Sequence, residues 1–263
     1  MKIPSFVMRS ARPIFMAWAA LVCPSQFSAG ADTHSAILWA GATCEISLGK
    51  VSDRTAQLVV APLDDQGQPR PVPPTAAFVS FPVTEEFRSR DIAGVENVQV
   101  GKLRFTIKAQ PLTISVHRAD GSLLQELVLE DVTNGTMSFH MDAPVYGLGE
   151  GEHQFDRRGT NYQMVNGQHG FPGLLATHGA TVPVPFLIGA DGWSMFVRSP
   201  WGQFDLRGQH GLFVPRRAAA GREPLIVYIS ELDEPADALA EYVRLTGHPV
   251  MPPKWVMGYM QSH

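Results

Sequence analysis

Strict two-residue alternation restricts this chain more than any other feature. In residues 102–108 (KLRFTIK), Leu103, Phe105 and Ile107 fall on one side of an extended chain, and Lys102, Arg104, Thr106 and Lys108 on the other. That is the pattern of a strand with one buried face. Residues 112–117 repeat it with Leu112, Ile114 and Val116 inward. Asp120-Gly121 then supplies a pair that tolerates the positive φ of a tight turn, and Leu123 to Leu129 runs back. A second hairpin follows the same grammar: Phe186–Ile188, Asp191-Gly192, then Trp193–Val197 with Trp193, Met195 and Val197 alternating. Residues 224–229 (PLIVYI) read as a buried strand. With 24 glycines and 21 prolines, the composition favours many turns and short strands. The expected fold is all-β, a mostly antiparallel β-sandwich over about residues 36–230.

One segment departs from this period. In 233–247 (DEPADALAEYVRLTG), Ala236, Leu239, Ala240 and Val243 recur at helical spacing. Asp233 or Glu234 can cap the start, Pro235 suits the first turn, and Gly247 and Pro249 end it. The spacing predicts a helix over 234–246, packed outside the sandwich. A connector with three prolines follows. Lys254-Trp255-Val256-Met257-Gly258-Tyr259-Met260 then reads as the start of a buried strand. The expected division is a leader at 1–31, a sandwich at 32–232, a helix and proline-rich connector at 233–253, and at 254–263 the opening of a different domain. Residues 64–75 (DDQGQPRPVPPT) are polar and proline-rich, the composition of an exposed loop.

The leader has the form of a signal peptide. Lys2, Arg9 and Arg12 precede the unbroken apolar run Ile14 to Cys23, and Ala29-Gly30-Ala31 offers a cleavage site before Asp32. A run of that length is too short to span a bilayer, which takes about 20 residues. A secreted or periplasmic protein is expected, with no membrane association after cleavage. The leader carries three of the 21 basic residues and no acidic ones, so 18 remain against 25 acids. With no basic stripe, nucleic acid and anionic membrane are poor partners. Cys44 is the one cysteine left after cleavage and cannot form an internal disulfide.

The glycine-rich stretch 147–183 has little periodicity and reads as a functional loop. It contains Glu150, Glu152, His153 and Asp156, acids and a histidine that invite an acid–base or metal reading. No His-x-x-x-His pair or cysteine partner accompanies them, so the spacing of a metal site is lacking. Solvated or paired structural acids are the commoner case. No metal and no cofactor is expected. Trp193 alternates with core residues, whereas no period places Trp201, in SPWGQFDLRG, and it stays open as a carbohydrate platform.

Four motifs, in order, carry a resemblance: YGLGEGEHQFDRRG (146–159), VNGQHG (165–170), VPFLIGADGWSMFVRSPWGQFDLRG (184–208) and EYVRLTGHPVMPPKWVMGYMQSH (241–263). They resemble glycoside hydrolase family 31, which includes α-glucosidases and α-xylosidases, over about residues 95–263. The resemblance implies a galactose-mutarotase-like β-sandwich followed by a catalytic (β/α)8 barrel, with 254–263 as the start of the first barrel strand. A whole barrel takes about 250 residues. The truncated barrel would leave this chain dependent on a barrel supplied in cis or in trans.

In that family both catalytic carboxylates are aspartates on later barrel strands, the nucleophile in a W-x-D-M type motif. Glycoside hydrolysis needs such a pair flanking the bond. The motif does not occur here, so no catalytic residue is assigned. The resemblance places the YGLGE glutamate in structural hydrogen bonding near the sandwich–barrel junction. It also implies a sandwich loop over the sugar site, where many members carry N-x-D. Here Asn166-Gly167-Gln168 stands at that place, so the amide can donate and accept but supplies no charge. The candidate substrate-binding residues are Asn166, Gln168, His169 and Phe171, toward an α-glycoside. Two other functions are open: a free-standing carbohydrate-binding module, and a mutarotase-like isomerase, which would need histidine and glutamate together on a concave face.

Overall fold

The computed structural model describes residues 34–263 except 131–133, 151–153, 165–181, 200, 217–218 and 259–263. The first strands are β1 (His34–Ala36), β2 (Leu38–Trp39), β3 (Ala42–Lys50), β4 (Thr55–Pro62), β5 (Thr84–Ser89) and β6 (Asp91–Ala93). They are followed by β7 (Val95–Val100), β8 (Leu103–Ala109), β9 (Leu112–His117), β10 (Leu123–Leu129), β11 (Met137–Phe139) and β12 (Val145–Glu150). The last six are β13 (Asn161–Gln163), β14 (Val182–Gly189), β15 (Trp193–Val197), β16 (Gly202–Asp205), β17 (Gly211–Pro215) and β18 (Leu225–Glu231). The chain then forms one α-helix, α1 (Asp237–Thr246), and a 3-10 turn, Lys254–Met257.

The strands form two large antiparallel sheets. One runs β13-β16-β17-β11-β10-β9-β8-β7; the other runs β12-β14-β15-β18-β4-β3-β2, with β5 also on β3. A short β1-β6 ribbon completes the set. The inner faces close on one core, where Leu103, Phe105, Ile107, Ile114 and Val116 of the first sheet join Ile46, Leu48, Leu58, Trp193 and Met195 of the second. Along β8 and β9 the alternation is explained as expected: one side of each strand is core and the other is turned outward. Both Asp-Gly pairs are turns, with Gly121 and Gly192 at φ 86° and 92°.

The second sheet is buried on both faces. Its outer side carries Val59, Phe186, Phe196, Ile226 and Tyr228, covered by Phe78, Phe81 and α1. That is why β18 reads as a continuous apolar run, and why β15, read as alternating, is buried at all five positions with Phe196 facing the outer side. Cys44 is fully buried in the core, and burial pushes its thiol up to about 12.

Three expectations need correction. First, Leu239, of the predicted apolar stripe, is 63% exposed; the helix buries Ala238, Glu241 and Leu245, with Tyr242 packed beside them. Positions 238, 241, 242 and 245 keep the same helical period as 236, 239, 240 and 243, displaced by two residues, or roughly 200° around the helix. Glu241 sits in the inward stripe and hides it from a hydrophobicity reading. Second, neither Asp233 nor Glu234 caps the helix through its side chain. The carboxylate of Asp237 reaches back instead, accepting the backbone N–H groups of Asp233 at 3.0 Å and Glu234 at 3.1 Å. Third, Lys254–Met257 is a 3-10 turn, not a strand, closed by Val256 N–H to Pro253 O at 3.0 Å and Gly258 N–H to Trp255 O at 3.2 Å. A strand needs a neighbour to take its backbone hydrogen bonds; lacking one among the described residues, this segment satisfies them locally.

The glycine-rich stretch is also more ordered than a loop reading allows, because β12 and β13 lie partly or wholly within it. Its middle, 165–181, lies outside the described residues.

Candidate functional site

The Tyr146–Glu150 segment is an edge strand with a built-in bulge. Its register against β14 shifts between Gly147 and Gly149, and Gly147, Leu148 and Gly149 all take positive φ (106°, 64° and 82°). A Cβ on Gly147 would lie 2.2 Å from the Phe186 carbonyl oxygen, and one on Gly149 2.1 Å from that of Val182. Only glycine meets both the dihedral and the approach. The bend leaves main-chain carbonyls turned from the ladder, and buried Arg157 takes them up, with Nε donating to Gly147 O at 2.8 Å and Nη2 to Gly149 O at 3.0 Å. Tyr162 Oη donates to Glu150 O at 2.9 Å.

The acids of this region resolve in part. Asp156 is a structural anion: it accepts Arg158 Nη2 at 2.8 Å, Val145 N–H at 3.1 Å and Arg158 N–H at 3.1 Å. Arg158 foremost, with these N–H groups, holds its carboxyl below the usual carboxylate range. A group held ionised in this way is a poor proton donor. Glu150 is exposed, and the hydrogen bond at this residue runs through its main-chain oxygen rather than its carboxylate. Glu152 and His153 lie outside the described residues. So do all four candidate substrate contacts, Asn166, Gln168, His169 and Phe171. Among the described residues, no three His, Cys, Asp or Glu side chains converge as a metal site.

A cavity of about 370 Å³ is lined by Pro73, Phe78, Met164, Pro183, Arg198 and Trp201 among others. Arg198 closes one wall, its guanidinium 5.5 Å from the Phe78 ring and bonded to the Pro73 carbonyl. Trp193 is core, fully buried; Trp201 is half-exposed at 52%. The sequence left Trp201 unplaced because it precedes β16 and belongs to no alternating run.

A second surface lies on the far side of α1. Leu239, Ala240, Val243, Arg244 and His248 line a shallow apolar depression there. Beyond it Val250, Met251 and Trp255 are 91%, 88% and 79% exposed. A helix with apolar stripes on two opposite sides is suited to lie between two packed bodies.

These features define a mutarotase-like sandwich with an added helix. The chain matches the glycosyl hydrolase 31 N-terminal galactose mutarotase-like domain over residues 53–205, more than half its length, and it belongs to that family. Among proteins of known activity, it is 21% identical to an isomaltosyltransferase of Sporosarcina globispora, covering 82% of this chain and 23% of that protein. An α-xylosidase of Emericella nidulans is 29% identical over 43% of this chain and 14% of its own. Among solved structures, a family 31 dextranase of Flavobacterium johnsoniae complexed with isomaltotriose superposes with a TM-score of 0.63 at 18% identity, over 82% of this chain and 27% of that one. The chain spans about a quarter or less of the length of each of these relatives.

Proposed function

We propose that these residues form the non-catalytic N-terminal sandwich of a secreted family 31 glycoside hydrolase acting on α-glycosidic bonds. The outward stripe of α1 carries this reading. Leu239 and Val243 lie on the side of the helix away from the sandwich, just before the connector that leads to Lys254. A catalytic barrel, in cis or in trans, would cover this stripe together with Val250, Met251 and Trp255. Residues 254–263 would form the first barrel strand, with the 3-10 turn at Lys254–Met257 opening once a neighbouring strand supplies hydrogen-bond partners.

The chemistry follows from that division. The barrel brings both carboxylates. The sandwich contributes rigidity through the Arg157-braced bulge and lends the loop at 166–171 to the sugar site, with Asn166, Gln168, His169 and Phe171 as contacts. A carbohydrate of the α-glycoside class is the substrate; the oligosaccharide chemistry in the relatives' names supports this. The basic start, apolar core and Ala29-Gly30-Ala31 support export with cleavage before Asp32. A mutarotase-like isomerase is less well supported: His140 Nε2 pairs with nearby Asp142 at 2.9 Å, rather than facing a carboxylate across a sugar-sized gap. A free-standing binding module leaves the outer helix stripe unexplained.

The test is turnover of p-nitrophenyl α-glucoside and α-xyloside. The 263-residue chain alone is expected to hydrolyse neither, and addition of its barrel to yield activity. Hydrolysis by the chain alone would overturn the division of labour. N-terminal sequencing of the exported protein is expected to begin at Asp32, and an intact Met1 would contradict export.

A further inference from the structure

Trp201 is not used by the reading above, and its surroundings are unusually organised for an exposed aromatic. Its main-chain oxygen accepts Ser199 Oγ at 3.0 Å and Arg216 N–H at 3.4 Å. The next residue, Gly202, sits where a Cβ would lie 2.7 Å from the Phe213 ring. The chain is thereby held tightly against β17, and the indole is presented from a fixed base. The Arg216 guanidinium lies 5.8 Å from the indole centroid.

The strand register determines what stands beside it. Gln203 pairs with Gln163 on one side and with Val214 on the other, and Gly202 pairs with Pro215. Side chains two residues apart share a face, so Trp201 and Gln203 point the same way, and their cross-strand neighbours Gln163 and Arg216 join them. Gln163, Trp201, Gln203, Pro215 and Arg216 line one open depression of about 400 Å³. Asp205 and Asn161, another cross-strand pair, extend the polar strip along the same face. From Trp201 to Asp205 it runs roughly 13 Å. Among the described residues neither Gln163 nor Gln203 has a side-chain hydrogen-bond partner, so both amides are available to a ligand.

We propose that Trp201, Gln163, Gln203 and Arg216 form an accessory glycan-binding platform, whose ligand, resting on the α-glycoside reading above, is an α-glucan chain. The chemistry is that of a pyranose ring. Its apolar C–H face packs on the indole and on Val214, the cross-strand partner of Gln203. Its hydroxyls, each donor and acceptor, meet amides that do both and a guanidinium fork that donates. The platform needs no barrel, so its test is independent of the catalytic assignment.

Native electrophoresis of the 263-residue chain through gels containing dextran, compared with gels lacking it, reads this directly. The wild-type chain is expected to be retarded by dextran. Trp201→Ala is expected to weaken the apparent affinity by roughly fivefold or more, on the scale of a lost aromatic contact. Trp201→Phe is expected to retain most of it, and Gln203→Ala to weaken it in a chain whose folding is untouched. Circular dichroism and a thermal midpoint matching wild type establish that each variant is folded. Absence of retardation in the wild-type chain, or retardation indifferent to Trp201→Ala, would overturn the proposal.

Discussion

The Thr55 hydroxyl donates to Glu241 Oε2 at 2.7 Å, and this contact joins the helix to the sheet. Thr55 is 1% exposed and Glu241 8%. The same carboxylate oxygen accepts Ser52 Oγ at 3.1 Å and Arg244 Nε at 3.2 Å, and Ser230 Oγ lies 2.7 Å from Thr55 Oγ1. Because the single Thr55 proton goes to Glu241, the Ser230 hydroxyl donates to Thr55. A buried carboxylate so surrounded orients α1 on strands β4 and β18, which apolar packing alone would leave free to slide.

Glu241→Ala is therefore expected to cost roughly 1–3 kcal/mol, the penalty of leaving Thr55 and Ser52 without their acceptor. Urea unfolding measures it. A double-mutant cycle with Thr55→Val is expected to show strong coupling. Additive effects of the two substitutions would mean that the Thr55–Glu241 contact does not hold the helix.

Gly149→Ala forces a Cβ against the Val182 carbonyl at a φ of 82°. The backbone strain alone is worth roughly 1–3 kcal/mol. A lowered thermal midpoint is expected, whereas Gly121→Ala, where nothing lies within 4 Å, suffers only the dihedral cost. Equal shifts for the two would show that the close approach of β12 to β14 is not what selects glycine at 149.

Asp205 is held at about 2, first by its hydrogen bond with Arg207, which donates to it from Nη2 at 2.7 Å. The folded value lies below the unfolded value of about 3.9. Any stability from this pair is thus present above about pH 4 and is lost as pH falls toward 2. Arg207 is largely exposed, so solvent screens the pair and the contribution is small. A carboxyl-carbon NMR titration reads the shift itself. Arg207→Ala is expected to move the Asp205 midpoint up toward the ordinary range, and an unchanged midpoint would contradict the assigned cause.

Much of this architecture was legible in the sequence because alternation maps directly onto burial. Leu103, Phe105 and Ile107 are fully buried while Arg104 and Lys108 are exposed, as their spacing predicts. What escaped was the helix orientation. Hydrophobicity ranks Leu239 and Val243 above Glu241, but the sheet beneath offers Thr55 and Ser52 to a carboxylate, and that satisfied polar contact decides the inward face. The edge strand β12 was hidden because its glycines break every period, and its order depends on Arg157, which lies seven residues beyond the strand's end. The segment at 254–257 has the composition of a buried strand; strand formation requires a neighbour that composition alone cannot supply.

Sedimentation velocity of the 263-residue chain with its separately expressed barrel bears most directly on the role of the outer helix face. Leu239 and Val243 are expected to be buried by the barrel, so the two polypeptides should sediment as a one-to-one complex. Leu239→Glu should abolish that complex while leaving the sandwich folded, since Leu239 makes no part of its core. A barrel that fails to bind, or that binds the Leu239→Glu chain as tightly as the wild type, would contradict the assignment of this face and with it the reading of the chain as the barrel's supporting domain.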